Sequence, residues 1–584
     1  MLWHIGNTTV RTPYRLREAL IALQGSSLNG NISGRQQENV FAILLHNSGV
    51  LSAERVIQGE EASDLGRKWR AALSQLGFIT PQLTKGIQSG AIDPELALMI
   101  KGIDVLSGRP FEITPNGYRL ISSEIITSQQ ECFLRSLASY RIPSILESNY
   151  KCATFSPLRF VLRVIDGLIG KGQDNILYFQ EYALFVQTST PEEGIDSIVD
   201  NIIEYRIGRR KSKGDVRAYD REIYKNVASK IGRKEQTLDD YADLSFRYLK
   251  ATGLFRGAGR GLSLSPARNR LAELLRQEEE FELSNSDYLK SLWLGAVLPT
   301  DDTVSAYAVI GDLVSRLNVR GVETEFPPTE LNITELEHYR HELENNLLQL
   351  DEKEFADKQA DSIEEIAAWM QAISFKGSVR LPNGDIVPIP KGEAPAYLEW
   401  VIWRAFLAID SLCNQPWEAR RFQIDQDFLP VGTAPGRGPD MVFEFEDLVI
   451  VVEVTLTASS RQEAAEGEPV RRHVAQYVEQ SSLMGGKTVY GLFIATQIDS
   501  NTANTFRSGA WYLPDDNKLS LEIVPITLDD FRDFVVSGCE RLDQMPKLLK
   551  QLLLECRAKA NQDAPQWKKS INSIIQRISS RQVS

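Results

Sequence analysis

Gly438-Pro-Asp-Met-Val-Phe-Glu-Phe-Glu-Asp-Leu-Val-Ile-Val-Val-Glu-Val-Thr455 is the stretch on which the reading of this chain turns. Met441 to Phe445 alternates in strand fashion, and Leu448 to Val454 is almost continuously apolar, as a central buried strand requires. With Glu446-Asp447 as a two-residue hairpin loop, Phe445 faces Leu448, and counting outward sets Asp440 directly opposite Glu453 on one face. Two carboxylates held in such a setting are costly unless their charge is offset. A divalent cation does this and takes oxygen ligands of this kind. The bland alternative is a strand-end Asp and an interfacial Glu satisfied by Arg437 or by an arginine on the next helix.

Upstream, Lys376 to Pro390 reads as a short hairpin around Pro382-Asn-Gly384. Pro395 to Ile409 follows as a helix with Leu398, Ile402, Ala405, Phe406 and Ile409 on its apolar face and Glu399 beside Leu398. Downstream, a glycine-containing loop leads through Glu466-Gly-Glu468-Pro-Val-Arg471-Arg472-His473 into a helix ending near Leu483, and Thr488 to Ala495 reads as a further strand. Helix, strand hairpin, helix, strand resembles the α/β core of the PD-(D/E)-x-K nucleases, with a mixed central sheet. That class carries a lysine two residues after the strand glutamate, where this chain has Thr455. In an active site, Glu468, Arg471, Arg472 or His473 must then supply the missing charge or proton handling.

The whole chain has 584 residues, enough for about three to four domains. Lys and Arg total 65 against 78 Asp and Glu, a formal net charge of −13, which excludes a uniformly basic nucleic-acid coat but not local basic patches. Five cysteines with no C-x-x-C pair argue against a zinc ribbon or a disulfide scaffold. No signal-peptide pattern opens the chain, and no apolar run in the C-terminal part approaches a membrane span, so a soluble cytoplasmic protein is expected, with no membrane partner. The expected organisation is multidomain. A mainly α N-terminal half holds winged-helix-like recognition subdomains at 1–150 and 151–300. A helical linker occupies 301–370, and the α/β nuclease domain 371–584.

In the first segment, helices are expected over Gln36–Leu45 and Leu65–Leu76, stopped by Gly77. A short strand, a Pro115-Asn-Gly117 turn and a new helix then complete a winged helix-turn-helix order, with Arg67, Lys68 and Arg70 on or near the recognition helix. The order recurs. Tyr241 to Leu249 is helical by pattern, Gly253 to Pro266 reads as strand, glycine-rich hairpin and strand, and a helix with Leu271, Leu274 and Leu275 follows. Arg256 and Arg260 sit on this second wing; the run lacks the G-K-[ST] of a phosphate loop. Between the two copies, Glu204 to Gln236 holds eleven Lys/Arg and five acids, a local net of +6, with tyrosines interleaved. Arg206, Arg209, Arg210, Lys211, Lys213 and Arg217 lead it as candidate DNA contacts, since such a cluster neutralises phosphates and releases counterions. Leu331 to Glu365 has the opposite bias, eleven acids against three bases, and reads as a connector kept away from the duplex. His338 and His341 lie in it without an evident third ligand for a metal.

Gly436-Arg-Gly-Pro-Asp-Met441, Val452-Glu-Val-Thr455 and Gly467-Glu-Pro-Val-Arg-Arg-His473 together resemble the cleavage-domain signature of the AlwI family of type IIS restriction endonucleases and their nicking relatives. Tyr397-Leu-Glu-Trp400 is similar to that family's first catalytic-domain helix. Ile203-Ile-Glu-Tyr-Arg206 and Arg247-Tyr-Leu-Lys-Ala-Thr-Gly-Leu-Phe255 are similar to its recognition half. The resemblance implies an enzyme that reads a short asymmetric sequence in double-stranded DNA with its N-terminal half and cuts a few base pairs outside it with its C-terminal half, using Mg²⁺ or Mn²⁺. It assigns Asp440 and Glu453 as principal metal ligands, Glu399 as the acid orienting a metal-bound water or ligand, and Glu468 as a further catalytic acid. His473 and Arg471 or Arg472 would meet the scissile phosphate. The family tolerates Thr in place of the usual Lys. Cutting both strands would need a homodimer, a small second subunit or a second event. Two other readings remain at this point: a DNA-binding regulator with a decayed nuclease fold, and a repair nuclease that reads DNA structure instead of sequence.

Overall fold

The computed structural model describes residues 1–32, 34–51, 59–80, 113–147, 149–212, 215–277, 283–328, 330–375, 377–380, 384, 386–390, 392–409, 411–436, 438–484, 486–538 and 544–580. The chain forms two compact units, Met1–Leu347 and Leu348–Ser584.

In the first unit, helices α1 (Gly34–Asn47) and α2 (Gly59–Gln75) pack on each other, α1 turning Phe41, Ala42 and Leu45 inward. Gly77, at φ +75°, ends the run in the left-handed region. A Cβ there would stand 2.4 Å from the Leu292 carbonyl oxygen. Ile79 bridges Ile113 in antiparallel fashion, and most of the segment between them lies outside the described residues. Pro115-Asn-Gly117 is not a turn ahead of a helix but the first turn of α3 (Pro115–Ser122). Thr114 Oγ1 accepts from Gly117 N at 3.0 Å, and proline loses no helical bond at such a start. Helix α4 (Ile126–Ser139) follows and is buried along its whole length.

Farther along, β1 (Leu177–Tyr178) precedes the helices α5 (Ile195–Lys211), α6 (Val216–Ile231) and α7 (Glu235–Ala251). Strands β2 (Phe255–Ala258) and β3 (Gly261–Leu264) then form an antiparallel hairpin with β1 on the free side of β3, and α8 (Asn269–Gln277) closes the order. The hairpin loop is Gly259-Arg260, with Gly259 at φ +55°, where a glycine relieves the turn of strain.

The acidic segment is not a separate body. It forms α9 (Ile333–Asp357), whose residues are divided between the two units at Leu347 and Leu348. Nor are its acids simply solvated. Glu344 receives Arg268 at 2.7 Å and Arg340 at 2.9 Å, while Glu131 of α4 receives Arg340, Arg135 and His341. Burial pushes the Glu131 carboxyl up, but Arg340, His341 and Arg135 outweigh it and hold it well below the usual range. A buried charge is tolerated when paired this completely.

The second unit begins with α10 (Ile363–Ser374), the hairpin of β4 (Ser378–Arg380) and β5 (Ile386–Pro388), and α11 (Ala394–Leu407). Its sheet has the order β11-β8-β7-β6. Strand β6 (Met441–Glu444) runs antiparallel to β7 (Leu448–Thr455), whereas β8 (Thr488–Ala495) and β11 (Glu522–Thr527) are parallel to β7. The β7-to-β8 crossover is α12 (Arg461–Met484). Register places the two helices. Phe443, Ile450 and Tyr490 pair across the sheet, and Phe443 stacks on Phe406 of α11 with ring centroids 4.0 Å apart. Gly491, one residue on, therefore points to the opposite face, where a Cβ would meet Val474 of α12 at 2.7 Å. So α11 and α12 cover opposite faces of β6 and β7. Past β8 come the small hairpin β9 (Ala510–Tyr512) and β10 (Lys518–Ser520), then α13 (Leu528–Gly538), α14 (Met545–Ala558) and α15 (Ala564–Ser580), all three packed on β11. Among the described residues no helix is long and apolar enough to cross a membrane.

Candidate functional site

The observed pairs Met441↔Val452, Val442↔Val451, Phe443↔Ile450 and Glu444↔Val449 are those the two-residue loop Glu446-Asp447 dictates. One step farther, Asp440 stands opposite Glu453. Asp440 ends the ladder with its side chain: Oδ2 accepts the Val454 amide at 2.8 Å. Glu399 enters from the N-terminal half of α11 on the other face, its Oε2 accepting the Ala434 amide at 2.6 Å. From α12, His473 Nδ1 shares a hydrogen bond with Glu453 Oε1 at 2.5 Å, while Nε2 is buried with no hydrogen-bond partner among the described residues.

The helix begins earlier than its sequence suggests. It starts at Arg461 and carries Gly467 and Pro469 within it. This decides which acid faces the carboxylates. Two residues are about 200° around a helix and seven are about two turns, so Glu466, not Glu468, shares the face of His473. Glu468 is exposed, with 55% of its side chain accessible, and ion-pairs with Arg472 at 3.0 Å. Glu466 is half-buried and acts electrostatically on both Asp440 and Glu453. Thr455 supplies no charge; its hydroxyl hydrogen-bonds to Glu466.

The electrostatics are those of crowded anions. Burial pushes the Glu399 carboxyl well above its usual range, and Asp440 and Glu453 add to it. Burial and then Glu453 do the same to Asp440. Glu453 is pushed up to about 8 by burial and then by Glu466. Burial also raises Glu466, against the Thr455 hydrogen bond. Burial lowers His473, and the Arg472 charge adds to that. Four carboxylates are raised together although Arg421, Arg472 and His473 act against the shift at Glu453 and Asp440, and a hard divalent cation with oxygen preference fits that set. They do not converge as tightly as a closed cage. Among the described residues, the three acid or imidazole ligand atoms within 4.8 Å of one another belong to Glu131, Glu337 and His341. There, Arg340 and Arg135 already occupy the Glu131 oxygens. A cation between Asp440 and Glu453 would therefore complete its shell with water and substrate oxygens.

The cations named from sequence separate into two groups. Arg471 stacks over the Trp511 ring of β9 at 5.9 Å and donates to the Gly467 carbonyl, and Arg472 is held by Glu468. Arg206 is buried: it donates to Glu181 and Asp174, each at 2.6 Å, so the fold uses its charge and it presents none to DNA. Arg209 pairs with Asp220, Arg67 and Lys68 with Asp64, and Arg70 with Glu38. Lys213 lies outside the described residues, as does Arg437. Arg210, Lys211 and Arg217 are exposed, Arg256 is half-buried on β2, and Arg260 is exposed at the hairpin tip. Arg209, Arg210 and Arg260 line one cleft of about 370 Å³ with Tyr178 and Tyr205. Sequence reading did not single out Glu466; its i, i+7 spacing to His473 carries a signal, but only once the helix is started at Arg461.

A family model described as the AlwI restriction endonuclease matches residues 74–534. A solved structure of the small subunit of the heterodimeric restriction endonuclease R.BspD6I is similar at 22% identity over 37% of this chain and 98% of that one, with a TM-score of 0.28. No curated protein matches.

Proposed function

The chain belongs to the AlwI restriction endonuclease family and is a DNA endonuclease, and from that premise we propose that it hydrolyses a phosphodiester a short distance outside an asymmetric recognition sequence, at a metal site built on Asp440 and Glu453. The opposed pair at the end of β6 and β7, closed in by Glu399 and Glu466, carries this reading. Mg²⁺, or Mn²⁺ in its place, would offset the carboxylate charge, activate a water and stabilise charge on the phosphate. Asp440 and Glu453 would be its ligands. Glu399, oriented by the Ala434 amide, and Glu466, oriented by Thr455, would accept hydrogen bonds from water at the site. His473 fixes Glu453 through Nδ1 and leaves Nε2 for a water or phosphate oxygen. In the reaction a water oxygen adds to phosphorus, one P–O ester bond breaks, the water gives up a proton and the leaving oxygen takes one. The exposed arginines of α5 and the β2–β3 hairpin serve recognition. One such site cuts one strand, so a double-strand break takes a second copy, a small partner subunit or a second event.

Supercoiled plasmid incubated with the protein in Mg²⁺ and in EDTA, followed by run-off sequencing, tests this. Metal-dependent cuts at a fixed offset from one short motif are expected, with Asp440→Ala inert yet still binding that motif. Cleavage by Asp440→Ala at the native rate overturns the site. Binding without scission points to a regulator, and cuts that track nicks or flaps point to a structure-reading nuclease.

A further inference from the structure

Thr455 leaves the cleavage centre without a lysine, and three arginines stand near enough to act on its carboxylates or on the helix that carries His473. Two are committed, Arg471 to Trp511 and the Gly467 carbonyl, Arg472 to Glu468. Arg421 differs. Its segment runs beside β6: Arg420 bridges Met441, and the Arg421 amide donates to the Asp440 carbonyl at 3.3 Å. The guanidinium lies against Gly438, where a Cβ would fall 2.2 Å from one terminal nitrogen, and that nitrogen donates to the Pro439 carbonyl at 3.1 Å. Glycine at 438 is therefore the cradle that lets the cation reach in beside the Asp440 backbone. Among the described residues it forms no ion pair, and the Pro439 carbonyl takes one of its five N–H donors, so the others are available to a substrate oxygen.

We propose that Arg421 is the cation of the cleavage centre, contacting a phosphate of the bound DNA strand at or next to the cut and supplying the positive charge that a lysine at position 455 would have given. This rests on the endonuclease reading above. Its charge acts on Glu453 and His473 and on Tyr477, which share the site's side of the sheet and helix α12. A guanidinium is always charged, forks onto two phosphate oxygens and is weakly hydrated, so it suits a half-buried position with one neutral carbonyl partner. An ammonium in its place would keep the charge but lose the fork.

The test is single-turnover cleavage of a duplex containing the recognition motif, alongside binding of the same duplex in Ca²⁺. Arg421→Ala should cut about 100-fold slower or worse, in line with the loss of one preorganised charge donor, with specific affinity within about threefold of native; Arg421→Lys should recover part of the rate. Gly438→Ala, which keeps the arginine and fills its cradle, should also slow cutting. Substrates carrying single neutral methylphosphonates separate contact from folding. One position should slow the native protein strongly and Arg421→Ala no further. Equal slowing of both proteins at every position, or a native rate for Arg421→Ala, overturns the assignment. Should Asp440→Ala be inert while Arg421→Ala cuts normally, Arg421 alone falls; should the native protein make no cut, the endonuclease reading falls with it.

Discussion

Raising the pH should destabilise the metal-free second unit, and metal should reverse this. Glu453 has an ordinary value of 4.5 and is pushed up to about 8 by burial and then by Glu466. An acid with a folded pKa above its unfolded one holds more protons in the native state between the two values. Stability therefore falls as pH rises from 4.5 to about 8 and stays low above that window. At about 1.36 kcal/mol per pH unit, Glu453 alone accounts for roughly 5 kcal/mol. Asp440 and Glu399 shift the same way and steepen the slope. For a unit of this size, 1 kcal/mol is about 2–4 °C in Tm, so the drop is on the order of 10–20 °C. Scanning calorimetry in EDTA from pH 5 to 9 measures it. The relevant transition is the one that added Mg²⁺ moves upward, since a cation that binds only the native site stabilises it by mass action. Glu453→Gln removes one titrating group and should flatten the slope in EDTA while weakening the Mg²⁺ response. A transition that is level between pH 5 and 8 without metal, or a Glu453→Gln slope equal to native, refutes the crowded-anion account.

Glu466→Gln should lower single-turnover cleavage by about 100-fold or more, whereas Glu468→Gln, losing only an exposed ion pair worth at most about 1 kcal/mol, should stay near native; equal losses would contradict the helix phase. Arg206→Ala strands the buried Glu181 and should cost the first unit about 3–5 kcal/mol in urea unfolding, while an unchanged midpoint would mean that its ion pairs are not formed in solution. Arg260→Ala should reduce the salt dependence of DNA binding by about one phosphate's worth, which a titration of affinity against salt reads directly; an unchanged slope would mean that Arg260 meets no phosphate.

The hairpin was legible because a two-residue loop and a period of two leave one register; shifting it by a single position would turn Phe443 and Ile450 out of the core. The crossover helix was legible only from its middle. Gly467 and Pro469 read as a loop, yet both lie inside the helix, where a Cβ at 467 would stand 2.5 Å from the Glu463 carboxylate one turn earlier. Losing the helix start shifted the choice of acid from Glu466 to Glu468. The reading also stopped at β8. Strand β11 carries Pro525, which argues against a central strand, but among the described residues β11 pairs with β8 alone and proline is tolerated on such an edge. Arg421 left no trace in sequence, because a bridge between distant segments and the absence of a side chain at Gly438 bring it to the site.

The basic cluster shows where counting charge along a sequence goes astray. Its +6 was summed between Glu204 and Gln236, but Asp174 and Glu181, which hold Arg206, lie outside that window, and Asp220 inside it holds Arg209. On α2 the bases Arg67, Lys68 and Arg70 are likewise taken up, by Asp64 of the same helix and Glu38 of α1. In a chain of net charge −13, a cation already paired with an acid gives little to phosphate, since DNA must displace the acid first. Arg210, Lys211 and Arg217 carry no ion pair among the described residues, and they cluster where α5 ends and α6 begins, with Arg260 lining the same cleft as Arg210. Arg221, Lys225, Lys230, Arg233 and Lys234, farther along α6 and in the turn before α7, are exposed as well and carry no ion pair among the described residues, so the fold removes Arg206 and Arg209 from the cluster and leaves the rest of it at the surface. Each phosphate such a base neutralises contributes a slope of about −0.9 in log affinity against log salt, so the slope of non-specific binding counts how many of these exposed bases reach the duplex. Phosphate contacts of this kind set register and orientation on the duplex and carry no sequence information, so substitutions in the cluster should weaken binding to any sequence alike, whereas substitutions at base contacts should lower the preference for the recognition sequence.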